Sequence, residues 1–415
     1  MQAIWDDMKS TELPSWMSPA PHNWGAAARG KLTADQWMVV CTVHLPVTLI
    51  GLWGNLSDRR FDLLCNFMDL TSAVQLATQR SITTQMIVDH EMLIMRYLKG
   101  MKQLFKGSKV QPIHHAALHT GDFLRLFGPT HAVQAFGGER LLEVLGLQNA
   151  NNKSGTSKSC CGSFVTHPTV IGEMETTFVT AICRNANLQA VLDREDITKD
   201  AKLLIDAYTK VANEDHRGTR LADETHHPPT RPPKKMELAQ PVYQLLVQTL
   251  NQRFQTTNYT ATWGDPWFVP RSVLELDKVS IRGVIYATAK SLPRDSNVIF
   301  RKPGDPKLRV GKITTIFSSS HPGTNCLAVA KANFTVVEEF PLVVDAASQR
   351  TYQQFGFAGG FLCQNTPSDA VHLVEVGDVV CHFAKTSMGG NIFHVLPLNK
   401  VRQPTIKWSA ILIFS

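Results

Sequence analysis

No run in this chain approaches 18 consecutive apolar residues, the length that a membrane-spanning helix requires, so no such helix and no membrane partner are expected. The first residues, MQAIWDDMKSTELPSWM, carry acids where a secretory leader would carry bases and an apolar block. An intracellular protein is the resulting expectation. The eight cysteines are scattered and none forms a CxxC pair, which speaks against a zinc ribbon and a disulfide scaffold and predicts buried free thiols. Neither GxSxG, nor a P-loop, nor GxGxxG is present, so hydrolase and nucleotide-binding readings lack their usual marks. Internal repeats are also lacking.

What is present fits a globular protein of two or three domains: 415 residues, 43% hydrophobic and 19% charged. The net charge is +7, and residues 241–415 hold 17 Lys and Arg against 11 Asp and Glu. Within that third, Arg294, Arg301, Lys302, Lys307, Arg309 and Lys312 lie close together against Asp295 and Asp305. A stretch of this kind neutralises phosphates. The competing reading is an ordinary solvated loop, since Phe300 alone could stack on a base.

Residues 1–30 are rich in Pro, Trp, Gly and Ser without periodicity and read as an extended arm. Thr33-Ala34-Asp35-Gln36 is a capping box opening a helix, which Pro46 should kink or end. Phe61, Leu64, Cys65 and Met68 share one face of the next helix. Met86, Ile87, Leu93, Tyr97, Leu98, Met101, Leu104 and Phe105 mark a long amphipathic one. His115 to Phe127 is a fourth helix, stopped by Gly128-Pro129, and Glu139 to Leu147 a fifth. Helical spacing resumes through Met174, Phe178, Ile182 and Ala186, and again over 198–212. Residues 213–240 form a polar, Pro-rich linker. After one helix, YQLLVQTLNQRF, short β-type runs follow at close intervals, the pattern of a small barrel or sandwich. The fold class expected is α+β. A helical region, 31–212, precedes a β-rich barrel-like region, 241–415.

The segments ARGKLTADQWMVVCTVHLPVTLIGLWG, LLCNFMDLTSAVQLATQRSIT, HHAALHTGDFLRLFGPTHAVQAFGGERLLEVLGLQNANNKSG and GEMETTFVTAICRNANLQAVL resemble, in order and spacing, the C-terminal region of CACTA-superfamily DNA transposases. They cover about residues 10–200. The later segments DSNVIFR, VGKITTIF, CHFAKT and IFHVLPLNK resemble the module that trails it in fungal members. The resemblance implies a transposon-derived protein whose helical region is the C-terminal part of an RNase H-like DDE core. Two aspartates of that core come from its sheet half and the third acid from a late helix, usually after Phe-Pro-Phe and before Arg. Here the run is AFGGER, so the resemblance puts Glu139 in the place of the third acid and Arg140 in that of its basic neighbour. Gly137-Gly138 replaces Pro-Phe and loosens the backbone that must aim the carboxylate.

Two-metal phosphoryl transfer needs both ions clamped, and Mg2+ prefers several oxygen ligands. The two aspartates lie upstream of the matching segment, and Asp6, Asp7 and Asp35 follow no strand pattern. Three readings stay open. The first is a catalytically inactive remnant that binds DNA through Arg140, Arg301, Lys302, Lys307, Arg309 and Lys312, with no cofactor and Glu139 vestigial. The second is part of an active Mg2+-dependent DDE transposase whose Glu139 is completed by upstream aspartates. The third is a protein-interaction module. Separately, His115 and His119 stand one helical turn apart with Asp122 on the same face, a pattern that either holds zinc or packs structurally. Cys381 and His382 alternate along a predicted strand and point to opposite faces, so they form no nucleophile–base pair.

Overall fold

The computed structural model describes residues 1–26, 32–79, 81–130, 234–281, 283–302, 305, 307–323 and 329–398. The fold is mixed α+β with an antiparallel ten-stranded sheet. All the described residues fall in one compact unit, so among them the helical and β-rich regions are not two separate bodies.

The reason lies at the N-terminus. The expected arm is a helix, α1 (Gln2–Lys9), followed by a short strand, β1 (Thr11–Glu12). Ile4 and Met8, one turn apart, are buried with Ala20, Trp24 and Val40. The Pro- and Trp-rich composition hid this short apolar face.

The next helical stretch runs from α2 (Ala34–Val39) through a π-turn (Val40–His44) into α3 (Leu45–Trp53). The Thr33–Gln36 capping box opens it as expected. Pro46 does not end it. Proline has no N–H to return to the Thr42 carbonyl, and Gln75 donates to that oxygen instead, 3.2 Å away. Thr71 serves the neighbouring Cys41 carbonyl at 3.3 Å. The π-turn and these borrowed donors let the chain continue. Ala34–Trp53 is long and apolar enough to cross a membrane by length and composition. Counting uninterrupted apolar runs missed it, because Thr42, His44 and Thr48 break the run without adding charge. Here Val39 and Val43 pack on Ala384, Leu396 and Leu398 of the sheet, and Ile50 packs with Tyr352 and Leu362.

Helices α4 (Arg59–Ala77) and α5 (Thr84–Leu104) are capped by the Asp58 and Thr83 side chains. They pack together through Ala73, Leu76, Leu93 and Ile94. Asn66 donates to the Tyr97 carbonyl (2.8 Å), close against Gly100. The expected helix from His115 to Phe127 is two: α6 (Pro112–Leu118) and α7 (Thr120–Phe127), broken at His119 and stopped by Gly128 at φ 78°.

Strand β2 (Lys234–Glu237) pairs with β3 (Ser272–Leu276). The end of the segment expected to be a linker is therefore a strand, anchored by the buried Leu238. Helix α8 (Gln240–Arg253) covers it, burying Tyr243, Leu246 and Leu250 against Phe317 and Phe334. Strands β4 (Lys278–Ile281) and β5 (Val284–Ala287) make a separate hairpin.

The main sheet continues with β6 (Asn297–Arg301), β7 (Leu308–Pro322), β8 (Val329–Glu339), β9 (Phe361–Gln364), β10 (Val371–Glu375), β11 (Val379–Ser387) and β12 (Ile392–Leu398). Its order is β10-β8-β7-β6-β11-β12-β9, with β1 added to β11 and the β2–β3 pair to β7. Among the described strands no pair closes the path into a barrel. The long β7 shares one edge between β6 and β3 and gives the other to β8. Helix α9 (Ala346–Gln353) precedes β9 and is capped by Asp345.

Candidate nucleic-acid interface

Glu139 and Arg140 lie outside the described residues. The other five cations proposed for DNA contact lie on β6, β7 and their connection. The β6–β7 register sets Arg301 opposite Leu308, Phe300 opposite Arg309 and Asn297 opposite Lys312. Directly opposed side chains share a face and successive ones alternate. Arg301 and Lys312 therefore stand on one face of the hairpin and Arg309 on the other. A stretch that is continuous in sequence is split by the pleat.

Carboxylates occupy much of what remains. Arg309 Nη1 donates to both Glu339 oxygens (3.0 and 2.9 Å), and its Nη2 donates to Asp305 Oδ2 (3.0 Å). His372 Nε2 lies 2.6 Å from Glu339 Oε2. Burial pushes the Glu339 carboxyl up, but its bonds to His372 and Arg309 outweigh that and hold it below the usual range. Asp305 is held low by the Lys307 backbone N–H and by Arg309. Arg301 acts on the half-buried Asp378, whose carboxyl burial raises. Lys312 is opposite Glu338 on β8 and close enough to Lys385 to help burial lower that ammonium. Lys385 Nζ in turn sits 5.1 and 4.6 Å from the Phe340 and Phe393 ring centres. Of the five, Lys302 and Lys307 are exposed. The cavity beside the hairpin, about 240 Å³, has Arg309 and Glu339 in its wall with Phe340 and Phe361. The groove along α8, about 810 Å³, is lined by carboxamides and threonines together with Tyr243, Val247 and Ala261, and by no charged residue.

A second basic surface escaped the reading by local charge density. No Asp or Glu occurs between Met92 and Gly121, a stretch that contains Arg96, Lys99, Lys102, Lys106 and Lys109. Arg96 is paired with Asp69 on α4. The four lysines are exposed at the end of α5 and in the turn after it, and among the described residues none of them meets a carboxylate. Arg59, at the start of α4, joins them by donating to the Leu104 carbonyl (2.6 Å). Phe105 lies among them, 47% exposed. The acid-free run was the available signal. It was diluted by the near balance of charges over residues 1–150.

Among the described residues no three His, Cys, Asp or Glu side chains converge as a metal cluster. Asp7 Oδ2 accepts from the Thr48 hydroxyl (2.6 Å), Asp6 from Gln2, and Asp35 lies in the first turn of α2. Cys381 and His382 are both buried on β11 and face opposite ways. Cys381 joins the Phe383–Phe393 core, and His382 stacks on Tyr286, ring centres 4.2 Å apart. Burial pushes the Cys381 thiol up to about 12.

No protein-family model, no curated protein and no solved structure matches this chain.

Proposed function

We propose that this chain is a transposase-derived protein that binds nucleic acid through the phosphate backbone without cutting it. The observation that carries the binding is the surface of Lys99, Lys102, Lys106 and Lys109, exposed, free of neighbouring carboxylates in sequence, and extended by Arg59. Lysines on such a surface displace condensed counterions from a duplex and recognise charge rather than sequence. Phe105 adds an apolar face that suits an unpaired base. The sequence resemblance supports the ancestry. In this reading residues 31–212 correspond to the C-terminal part of an RNase H-like core, residues 241–415 to the barrel-like module of fungal elements, and Glu139 to a vestigial third acid. Mg2+ would enter only where upstream aspartates complete that acid. Lys302 and Lys307 are secondary contacts, and Arg309 is a structural cation.

The test is duplex binding by the full chain, followed by fluorescence anisotropy across a salt series. Replacing Lys99, Lys102, Lys106 and Lys109 with Gln should lower affinity at low salt and flatten the salt slope by roughly three to four, about 0.9 for each lost phosphate contact. Replacing Lys302 and Lys307 should have the smaller effect. An unchanged slope in the fourfold variant overturns the assignment.

A further inference from the structure

His115 lies in the last turn of α6, and His119 is the residue at the break between α6 and α7. Their Nε2 atoms are 3.4 Å apart and their rings are nearly perpendicular, with centres 4.9 Å apart. For two imidazoles bound tetrahedrally to zinc at about 2.0–2.1 Å, the nitrogens must lie about 3.3–3.4 Å apart. The observed separation already has that bite. On the far side of the His119 ring, Nδ1 is 3.5 Å from Asp122 Oδ2, an ion-pair contact longer than a hydrogen bond. A carboxylate behind a ligand imidazole holds the tautomer that leaves Nε2 free to coordinate. Asp122 is thus an outer support rather than a third ligand, consistent with the lack of a three-residue cluster among the described residues.

The pair is held in place from below. Arg125 of α7 bonds Glu91 of α5 (Nη2 to Oε2, 2.7 Å), and Gly121 lies so close to Glu91 that a Cβ there would overlap its carboxyl. Asp122, between these two anchors, is fixed relative to α5. His114, the adjacent histidine, is committed elsewhere: its Nδ1 accepts from the Gln111 backbone N–H (3.1 Å) in the cap of α6.

We propose that His115 and His119 bind one late first-row divalent ion, Zn2+ in the first instance, through their Nε2 atoms. Asp122 orients His119, and the remaining coordination positions are open to water. Imidazole pairs favour Zn2+, Ni2+ and Cu2+ over Mg2+ or Ca2+, which select oxygen. The bound ion ties the last turn of α6 to the break residue from which α7 starts. The inference goes beyond the nucleic-acid reading and does not rest on it.

The experiment is calorimetric titration of the full chain with ZnCl2, with Co2+ as a spectroscopic substitute that distinguishes imidazole from thiolate ligation. One histidine-dependent ion per chain is expected, with a cobalt spectrum free of thiolate charge transfer. His115→Ala and His119→Ala should each weaken binding at least about tenfold. Asp122→Asn, which keeps both ligands, should weaken it by a smaller factor, in line with outer-shell losses. His114→Ala should bind as the unaltered chain does. Equal zinc affinity in the unaltered, His115→Ala and His119→Ala proteins overturns the site, as does an equal loss in His114→Ala. Thermal melts of each variant without metal separate misfolding from ligand loss.

Discussion

Ser15 grips both oxygens of Asp295: its backbone N–H donates to Oδ1 and its hydroxyl to Oδ2, each at 2.7 Å, across 280 residues of sequence. Asp295 is fully buried. Its own carbonyl lies 3.1 Å from His382 Nε2, and Trp16 Nε1 donates to His382 Nδ1 at 3.3 Å. The N-terminal segment is therefore part of the sheet's core, and Ser15 is the point where a buried charge is satisfied. Ser15→Ala removes one of two charge-assisted bonds from a carboxylate with no access to water. It should cost about 2 kcal/mol, seen as a lower urea midpoint with an unchanged m-value.

Arg309 separates stability from binding. Glu339→Ala leaves Arg309 and His372 without their shared, mostly buried carboxylate and should destabilise by about 2–3 kcal/mol. Lys302→Ala and Lys307→Ala should stay within about 0.5 kcal/mol of the unaltered chain, as exposed substitutions do. Parallel chemical denaturation of the three variants checks the contrast. If Glu339→Ala were neutral, the network would be ornamental.

Gly360 has two reasons to be glycine. Its φ is +69°, and a Cβ there would meet the Val395 carbonyl oxygen at 2.3 Å and His394 Nε2 at 2.7 Å. Left-handed strain and overpacking add, so Gly360→Ala should cost about 3 kcal/mol. Gly377, where a Cβ meets nothing within 4 Å, is the control: Gly377→Ala should stay near the melting temperature of the unaltered chain.

Acid should weaken the fold through three histidines. Burial lowers His44, His382 and His394 to about 4, and His22 adds repulsion at His44. Their ordinary value is near 6.5, so between there and about 4 the unfolded chain binds protons that the folded chain refuses. Stability is full above pH 6.5 and falls as the pH drops through that window, by roughly 1.4 kcal/mol per unit for each histidine. Urea midpoints from pH 7 to pH 4 provide the test. His382→Asn should lessen the slope even if it lowers the plateau.

Several elements were legible in the chain because local forces set them. The Thr33–Gln36 box, the apolar face of α5, the Gly128 stop and the runs NVIFR and VVCHFAKT each carry their own signal, and the structure has a helix start, a helix, a stop and two strands there. Strands β3, β9 and β10 carry little local signal: they are four or five residues long and gain their apolar partners only across the sheet. The π-turn was missed because its cost is met by Gln75 and Thr71, thirty residues away. The basic stretch was seen as residues but not as a surface, since a strand's alternation and three distant carboxylates decide which cations reach water.

By itself the sequence determined the start at Thr33–Gln36, the long amphipathic helix α5, the stop at Gly128, that a β-rich region follows the helices, and which residue types could meet phosphate or metal. Those features depend on neighbours within about one turn or one strand. Tertiary structure alone decided that β1 joins β11, that Arg309 is held by Glu339 and that Ser15 meets the buried Asp295. Each of these depends on groups from different elements coming within bonding distance, where the Coulomb and hydrogen-bond terms are largest and linear order carries no information about them.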